Sequence, residues 1–206
     1  MESPEVTLRK SDLAIADQCR LNVLWLNSSA SGDRALEIEV DGLRLDEGLR
    51  ALYREVICGA WPNRRSGAGP ERLPFADASF DLVTLYGLAP THVQLREVRR
   101  LVKAGGTALL GCPNRWWRGR LRSSPVAAGP RLTADIIAAG FREARMYWVE
   151  PSLAIPRELI PARFDRVCAF EAARARETGR RFARSLIVAA GLHRVLYPAL
   201  LFIAKP

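Results

Sequence analysis

The chain has 206 residues, of which 49% are apolar, and a formal net charge of +9. This length and composition predict a single globular domain with its own core, spanning residues 1–206. Its four cysteines are scattered without a Cys-x-x-Cys pair and it has only two histidines, which argues against a disulfide framework or a metal site and for a reducing, cytoplasmic compartment. The first ten residues have no basic head followed by an apolar run, so no secretory signal is expected.

The positive charge is concentrated in the second part of the chain. The residues after Asn114 hold 17 of the 31 basic side chains and 7 of the 22 acidic ones, so their formal charge is +10, while the residues up to Asn114 sum to −1. Two interpretations stay open. The arginines form an ordinary solvated surface, or they meet an acidic partner such as a phosphate, a carboxylate, an anionic lipid or a nucleic acid.

Two segments compete for the first strands of a sheet. Residues 21–26 are apolar and precede a turn of small polar residues, so they are predicted to be the first strand. Over residues 36–40 apolar and acidic side chains alternate with the period of a strand, and Asp41-Gly42 then signals a hairpin into residues 43–45. We favour the alternative in which residues 43–46 form the second, parallel strand and residues 47–53 the following helix. Residues 56–58 are a candidate third strand.

The central part of the chain has the pattern of a βαβ unit. Residues 80–86 form a short apolar, β-branched run, residues 93–102 have apolar side chains at helical spacing, and residues 107–112 are a second apolar run. Ala104-Gly105-Gly106 lies where a helix is expected to end. Such units build parallel sheets that are covered by helices.

Helices and strands continue to alternate after this unit. We predict a helix over residues 132–139, with Thr133 as its cap and Gly140 as its stop, and a strand over residues 144–149. Residues 151–161 contain three prolines and cannot be regular helix or strand throughout. An arginine-rich helical stretch follows over residues 164–190.

The C-terminal segment allows two structures. Residues 185–204 are long enough to cross a membrane, but His193, Arg194 and Pro198 lie within them. Because a mid-span arginine costs about 2.5–3.5 kcal/mol on insertion scales, we favour a helix, a loop and a last strand over residues 196–204. The same segment, with its neighbouring arginines, is a candidate for peripheral contact with a membrane surface.

Several motifs resemble class I S-adenosylmethionine-dependent methyltransferases, in particular the methyltransferase type 11 kind. They are Leu73-Pro74-Phe75, Ser79-Phe80-Asp81, Leu95-Arg96-Glu97 with Arg100, and Gly105-Gly106. Further similarity extends through residues 132–135 and 139–141 to the end of the chain, well over half of its length. The resemblance implies an α/β, Rossmann-like, doubly wound fold. Its sheet is mostly parallel with an antiparallel last strand, and a lid insertion covers the pocket at about residues 150–185.

The resemblance also implies S-adenosylmethionine as cofactor. In the family the first strand ends in an acidic residue and a Gly-x-Gly-x-Gly turn, but on our assignment Trp25 stands at the acid, and Asn27, Ser29 and Ser31 stand at the glycines. The predicted cofactor contacts are Asn27 and Ser29 in that turn and Asp46, with Asp41 as its alternative, at the ribose. Near the adenine, Gly69 replaces the usual acid, and Glu71 with Arg72 are the substitutes.

The predicted catalytic residues are Tyr86, at the end of a central strand, and His92, which is either a general base or the cap of the following helix. Substrate binding is assigned to the Arg/Trp loop that follows Asn114. Four arginines interleaved with two tryptophans suit an anionic or aromatic ligand, single-stranded nucleic acid, or a tryptophan cover for the sheet edge. We favour an anionic small molecule over nucleic acid. The loop residues assigned to the substrate are Arg115, Trp116, Trp117 and Arg118.

Two functions therefore remain. The first is a methyltransferase that acts on an acidic or phosphorylated small molecule, for example a sugar or lipid-linked intermediate. The second is a catalytically inactive pseudo-methyltransferase that serves as a binding partner or scaffold for a protein through its basic C-terminal half.

Overall fold

The computed structural model describes residues 31–39, 46–61, 72–87, 89–114, 129–178, 188, 190 and 196–206. In this part of the chain seven strands form one sheet and four helices accompany it. The strands are β1 (Gly32–Glu39), β2 (Tyr53–Ala60), β3 (Phe80–Tyr86), β4 (Val102–Pro113), β5 (Glu143–Pro151), β6 (Pro156–Pro161) and β7 (Ala199–Lys205). The helices are α1 (Asp46–Arg50), α2 (His92–Leu101), α3 (Gly129–Ala138) and α4 (Phe164–Thr178).

The strand order is β2-β1-β3-β4-β7-β5-β6. β1, β2, β3 and β4 are mutually parallel, and β7 lies antiparallel between β4 and β5. The predicted central unit is confirmed, because β3 and β4 are parallel neighbours joined by α2, with Tyr86 opposite Gly111. The predicted antiparallel last strand is confirmed as β7. The sheet is therefore the mostly parallel, helix-flanked sheet that the sequence predicts.

The sequence assigned the strands on the other side of β3 wrongly. β1 pairs in parallel with β2 on one side and with β3 on the other, so neither of its edges is left for the hairpin partner predicted at residues 43–45, which lie outside the described residues. Asp46 is not the last residue of a strand but the first residue of α1. The second parallel strand is β2, which contains the candidate third strand at residues 56–58. The predicted strand at residues 21–26 lies outside the described residues.

The alternation of acidic residues in β1 explains this error. A strand buried on both faces is normally apolar throughout, so the acids at positions 37 and 39 favoured a half-exposed hairpin strand. In the structure β1 is an internal strand between β2 and β3, and Glu37 is only 2% exposed. Glu37 is therefore buried because strands pair with β1 on both sides, although the alternating sequence pattern alone favours an exposed carboxylate.

The proline-containing segment at residues 151–161 forms the turn and second strand of a hairpin, so it is not one regular element, as predicted, and its role as a lid stays a prediction. β6 pairs antiparallel with β5, with Tyr147 opposite Pro161 and Pro151 opposite Pro156. Among the described strands β6 is outermost, and its prolines lie at its ends, which an edge strand tolerates. The hairpin turn still reaches the centre of the sheet, because Leu153 is 6% exposed and packs with Tyr86 in one apolar cluster.

Two helix boundaries differ from the prediction. α3 begins at Gly129, so Thr133 lies inside the helix and is not its cap. Gly140 follows α3 with a φ of 101°, which confirms it as the stop. α2 ends at Leu101, before Gly105 and Gly106, because β4 already begins at Val102. None of the helices in the described ranges is long and apolar enough to cross a membrane.

The amino ends of three strands are tied together by Asp81. Its Oδ2 accepts hydrogen bonds from the backbone N–H groups of Asp33 (3.0 Å) and Arg34 (2.9 Å) in β1. Its Oδ1 lies 2.9 Å from Nζ of Lys103 in β4. The carboxylate at the start of β3 thereby holds both neighbouring strands and fixes the edge opposite the candidate site.

The motif around Leu73-Pro74-Phe75 is held by α2. Glu97 Oε1 accepts from the Leu73 N–H at 2.7 Å, and Arg100 Nη1 donates to the Phe75 carbonyl at 2.8 Å. Arg100 also donates through Nε and Nη2 to both oxygens of Glu97, at 2.8 and 2.6 Å. These residues carried the family resemblance, and in the structure they fasten the loop before β3 to its covering helix.

Candidate functional site

The sheet has a switch point between β1 and β3. The chain leaves β1 for β2 on one side and returns to β3 on the other. In open α/β sheets, ligands bind in the crevice outside the carboxyl ends of the two strands at such a point. The carboxyl ends of β1 and β3 therefore define the candidate site.

A row of polar side chains crosses the sheet at this point, and it is exposed at Cys58 in β2 but buried in β1 and β3. Glu37 of β1 lies opposite Cys58 of β2 and Thr84 of β3, and Cys58 Sγ is 3.7 Å from Glu37 Oε2. Tyr86 follows Thr84 by two residues and so lies on the same face of the sheet. Glu37, Thr84 and Tyr86 are each at most 2% exposed. Polar groups at this depth are unusual in an otherwise apolar layer.

The Tyr86 hydroxyl is a hydrogen-bond donor rather than a base. Burial, and secondarily the charge of Glu37, raises the pKa of Tyr86 far above its ordinary value of 10.0. Within the described part of the chain, neither the Tyr86 hydroxyl nor Thr84 Oγ1 has a hydrogen-bond partner. Because an unsatisfied buried hydroxyl costs about 1–3 kcal/mol, a ligand atom that accepts from Tyr86 would gain that energy.

Gly111 and Leu153 fix the Tyr86 ring. A Cβ at Gly111 would lie 2.5 Å from Cδ1 and 2.6 Å from Cε1 of Tyr86, and 3.1 Å from Cδ2 of Leu153. The ring therefore rests directly against the backbone of β4, which only a glycine permits. The turn between β5 and β6 closes this side of the crevice with Leu153.

A second buried network holds the end of β4. Asn114 Nδ2 donates to the Tyr197 carbonyl at 2.7 Å, and the Tyr197 hydroxyl donates to Glu171 Oε1 at 2.8 Å. The Tyr197 ring stacks on Trp148, with 5.4 Å between ring centroids. Asn114 is the residue just before the predicted Arg/Trp loop, so the point where that loop leaves the sheet is rigid.

The predicted catalytic residues differ in their environment. Tyr86 ends β3 and is buried, whereas His92 is the first residue of α2 and is exposed. The cap of α2 is Thr91, whose side chain and that of Gln94 form a capping box, so the prediction of His92 as a cap is wrong. Its role as a general base stays a prediction.

Of the predicted cofactor residues, only Arg72 and Asp46 lie in the described part of the chain, so their common role stays a prediction. Arg72 is exposed and its Nη2 lies 3.2 Å from Asp77 Oδ1, in the loop that enters the amino end of β3. That edge is opposite the one where Tyr86 lies. Asp46 begins α1 after β1. The other predicted site residues lie outside the described residues: Asn27, Ser29, Glu71, Arg115, Trp116, Trp117 and Arg118.

Sequence reasoning missed Glu37. With β1 as the strand at the switch point, Glu37 and Glu39 are the acids near its carboxyl end, and Gly42 follows three residues after Glu39. The signal was present as an acid between Leu36 and Ile38, but it was assigned to the alternating pattern of a hairpin strand. The corresponding end of β2 has no acid, because its last three residues are Cys58, Gly59 and Ala60.

No protein-family model matches this chain, and no curated protein sequence matches it. Solved structures of low sequence identity do match its fold. It is similar to phosphoethanolamine N-methyltransferase 2 of Haemonchus contortus in complex with phosphomonomethylethanolamine and S-adenosylhomocysteine, with 14% identity, a TM-score of 0.54 and coverage of 98% of this chain and 58% of that one. A structure of the same enzyme with S-adenosyl-L-methionine matches with 13% identity, a TM-score of 0.53 and coverage of 95% and 57%.

The chain is also similar to an S-adenosylmethionine-dependent methyltransferase from Thermotoga maritima. This match has 14% identity and a TM-score of 0.52, and it covers 93% of this chain and 89% of that one. The chain thus spans a little over half the length of the H. contortus enzyme and nearly all of the T. maritima protein. At this identity the likeness shows the fold alone: a Rossmann-like sheet of the kind found in S-adenosylmethionine-dependent methyltransferases.

Proposed function

We propose that this chain is a S-adenosylmethionine-dependent methyltransferase whose acceptor is an acidic or phosphorylated small molecule, such as a sugar or lipid-linked intermediate. The observation that carries the proposal is the buried polar row of Glu37, Thr84 and Tyr86 at the switch point of a methyltransferase-like sheet. Thr84 Oγ1 and the Tyr86 hydroxyl are buried without a hydrogen-bond partner in the described part of the chain, and such groups are costly, so their place at the expected ligand position favours a binding role.

Two described side chains, Glu37 and Tyr86, suit groups of S-adenosylmethionine. The charge of Glu37 suits the cationic groups of the cofactor, and the Tyr86 hydroxyl suits an acceptor oxygen. The end of β2 offers no carboxylate for the ribose, so Asp46 and Asp41 remain the two predicted ribose contacts. When bound, the cofactor supplies a methyl group on a sulfonium sulfur, which an acceptor nucleophile displaces.

The protein groups have positioning roles in this proposal. Methyl transfer requires mainly that nucleophile and methyl group are held in line and that water is excluded. Tyr86 stays protonated and orients a ligand oxygen, while Leu153 and the ring of Tyr86 exclude water on the β4 side. The exposed His92 is the predicted base for an acceptor that must lose a proton.

An acidic acceptor is supported by the position of the Arg/Trp loop. The loop follows Asn114, which the bond to the Tyr197 carbonyl holds at the carboxyl end of β4. Arginine suits carboxylate and phosphate because its planar group donates two parallel hydrogen bonds. The basic charge of the residues after Asn114 agrees with this class of acceptor.

A specific observation favours the second candidate, a pseudo-methyltransferase that binds a protein partner. If Glu37 is the acid of the first strand, Glu39 and Asp41 stand where the resemblance places glycines. Side chains at those positions restrict how closely the backbone approaches a cofactor. The lack of an acid at the end of β2 points in the same direction.

Calorimetric titration with S-adenosylmethionine and S-adenosylhomocysteine separates the two functions. We expect binding by the wild-type chain and a loss of about 10- to 100-fold in Glu37→Gln, as for one hydrogen bond to a charged group. Glu55→Gln is the matched control, because Glu55 is exposed on β2 and pairs only with Arg34 among the described residues. Folded wild-type protein that shows no heat with either ligand would refute the methyltransferase and leave the scaffold.

A further inference from the structure

Helices α2 and α3 lie side by side on one face of the sheet. Their inner side chains, Leu95 and Val98 of α2 and Leu132 and Ile136 of α3, belong to the same core cluster. Arg99 Nε donates to the Gly140 carbonyl at 2.9 Å, which holds the last turn of α2 against the end of α3. Both helices connect parallel strands, so both run opposite to them and begin at the carboxyl edge.

The outer surface of this pair combines aliphatic and cationic side chains. Val93 and Ile137 are its exposed aliphatic residues, at 49% and 44%. Val93, Arg96 and Arg99 follow each other at i, i+3 spacing, so they share the outer side of α2. We define the α2–α3 face by Val93, Arg96, Arg99, Arg131, Ala134, Ile137 and Arg142.

Three cations of this face have no ion pair with any residue that the structure describes. Arg96, Arg131 and Arg142 are exposed, and none of them has an ion pair in the described ranges. The acids nearby are engaged or few: Glu97 is buried against Arg100, Glu143 pairs with Arg145, and Asp135 of α3 is half-buried. The face therefore has an excess of positive charge around two exposed aliphatic side chains.

We propose that the α2–α3 face docks the protein peripherally on an anionic lipid bilayer. Arginines beside a bilayer that contains anionic lipid each contribute about 1 kcal/mol, without requiring a complementary shape. Val93 and Ile137 would enter the boundary between headgroups and acyl chains, as the apolar side of an interfacial helix does. The contact lies in α2 and α3 and is separate from the segment at residues 185–204.

Other anionic partners fit this face less well. A stable protein interface buries an apolar core within more than about 1,000 Å², and two isolated aliphatic side chains do not provide one. Single-stranded nucleic acid is bound through aromatic side chains on which bases stack, and the α2–α3 face has none. A bilayer needs only charge and shallow insertion, and this face provides both.

Docking through this face would place the sheet between the bilayer and the buried polar row. The inner side chains of α2 and α3 pack with Leu36 and Leu85, whereas Tyr86 belongs to the cluster on the opposite face of the sheet. The proposed docking does not depend on methyl transfer, since it rests only on the surface of two helices.

Vesicle co-sedimentation tests the proposal with the full chain. We expect binding to vesicles of phosphatidylcholine with phosphatidylglycerol and none to phosphatidylcholine alone. Arg96→Gln with Arg142→Gln should lower the partition coefficient about 30-fold, equivalent to about 2 kcal/mol at about 1 kcal/mol per arginine. The matched control is Arg50→Gln with Arg54→Gln, which removes two exposed arginines on α1 and β2 and should leave binding unchanged.

A second pair of variants tests whether an aliphatic side chain of the α2–α3 face enters the bilayer. Ile137→Ser should weaken vesicle binding several-fold, whereas Phe164→Ser, at a side chain that is 54% exposed on α4, should not. Equal losses in the two arginine pairs would show that only net charge matters and would overturn the assigned face. No binding to anionic vesicles by the wild-type chain, or binding to acidic protein or nucleic acid in its place, would overturn the proposal.

Discussion

Because Gly111 has no side chain, the ring of Tyr86 can lie directly against the backbone of β4 at the candidate site. The ring carbons of Tyr86 would lie 2.5 and 2.6 Å from a Cβ at this position, closer than real Cβ contacts come. Gly111 has an ordinary negative-φ backbone, so its requirement is for space and not for a special conformation. The same contact brings Leu153 against the ring and so links the β5–β6 turn to the crevice.

We therefore expect Gly111→Ala to destabilise the protein by about 1–3 kcal/mol, the usual cost of an extra methyl group in a packed core. Gly59→Ala is the matched control on β2, because a Cβ there would meet nothing within 4 Å. Urea denaturation, with the midpoint and the slope compared between variants, measures both. Equal stability of the two variants would mean that the Tyr86 ring is not held against β4.

At the scale of the elements, the loop before β3 depends on one arginine of α2. Arg100 donates to both oxygens of Glu97, to the Phe75 carbonyl and, at 2.5 Å, to Asp77 Oδ1. Burial raises the pKa of Glu97, but the bonds from Arg100 and the Leu73 N–H outweigh it and hold the pKa below its ordinary value of 4.5. The pair is thus charged and fully bonded in the folded state.

Replacement of this arginine by lysine tests the geometry of the contact rather than its charge. A lysine has one ammonium group and cannot donate to the carboxylate and the loop carbonyls at once. We expect Arg100→Lys to cost about 1.5–3 kcal/mol in the free energy of unfolding, because Glu97 stays buried with fewer donors. Arg96→Lys, on the exposed side of the same helix, should change it by less than about 0.5 kcal/mol.

Chemical denaturation of both variants, with hydrogen exchange at the Leu73 amide, distinguishes this expectation from a general helix effect. Faster exchange at Leu73 in Arg100→Lys alone would locate the loss in the loop. If the two lysine variants are equally stable, the loop does not depend on the several hydrogen bonds that the Arg100 guanidinium donates to Glu97 and the Phe75 carbonyl.

At the scale of the whole molecule, the sequence predicted the elements whose apolar pattern agrees with their burial. β3, α2, β4 and β7 were found because apolar runs and helical spacing match the buried faces that the structure shows. β1 was missed as an internal parallel strand because Glu37 interrupts its apolar run, and its burial depends on neighbours far along the chain. The β5–β6 hairpin was missed because prolines at strand ends resemble those of an irregular loop.

In the candidate site, too, the residue that belongs to a clear local pattern was predicted and the others were not. Tyr86 was predicted because it ends a recognisable strand, and its position at the carboxyl edge is as expected. Glu37, Gly111 and Leu153 come from three distant segments, and their proximity is a property of strand order that no local pattern contains. The motif of Leu73-Pro74-Phe75 with Glu97 and Arg100 carried the resemblance to a methyltransferase, although in the structure it fastens the loop before β3 to α2 and does not line the site.

Asp81 stabilises the sheet across three strands. From its position in β3, its carboxylate accepts hydrogen bonds from the backbone of β1 and forms an ion pair with Lys103 of β4. Burial raises the pKa of Asp81, but the bonds from Lys103 and from the backbone of β1 outweigh it and hold the pKa below its ordinary value of 3.8. The folded state therefore binds this proton less tightly than the unfolded state. Its contribution to stability is present above pH 3.8 and is lost as the pH falls through the lower, folded value.

Asp81→Asn should accordingly lower the free energy of unfolding by about 1–3 kcal/mol at neutral pH, the range for hydrogen bonds to a charged group. The difference from wild type should shrink as the pH falls below 3.8, because the wild-type carboxylate then becomes protonated. Asp165→Asn is the control, since Asp165 is exposed and pairs only with Arg163 and Arg166 in the described part of the chain. Urea titrations at neutral pH and at steps below pH 3.8 measure the effect. A constant deficit at all pH values would show that shape, and not the charge of Asp81, holds the three strands together.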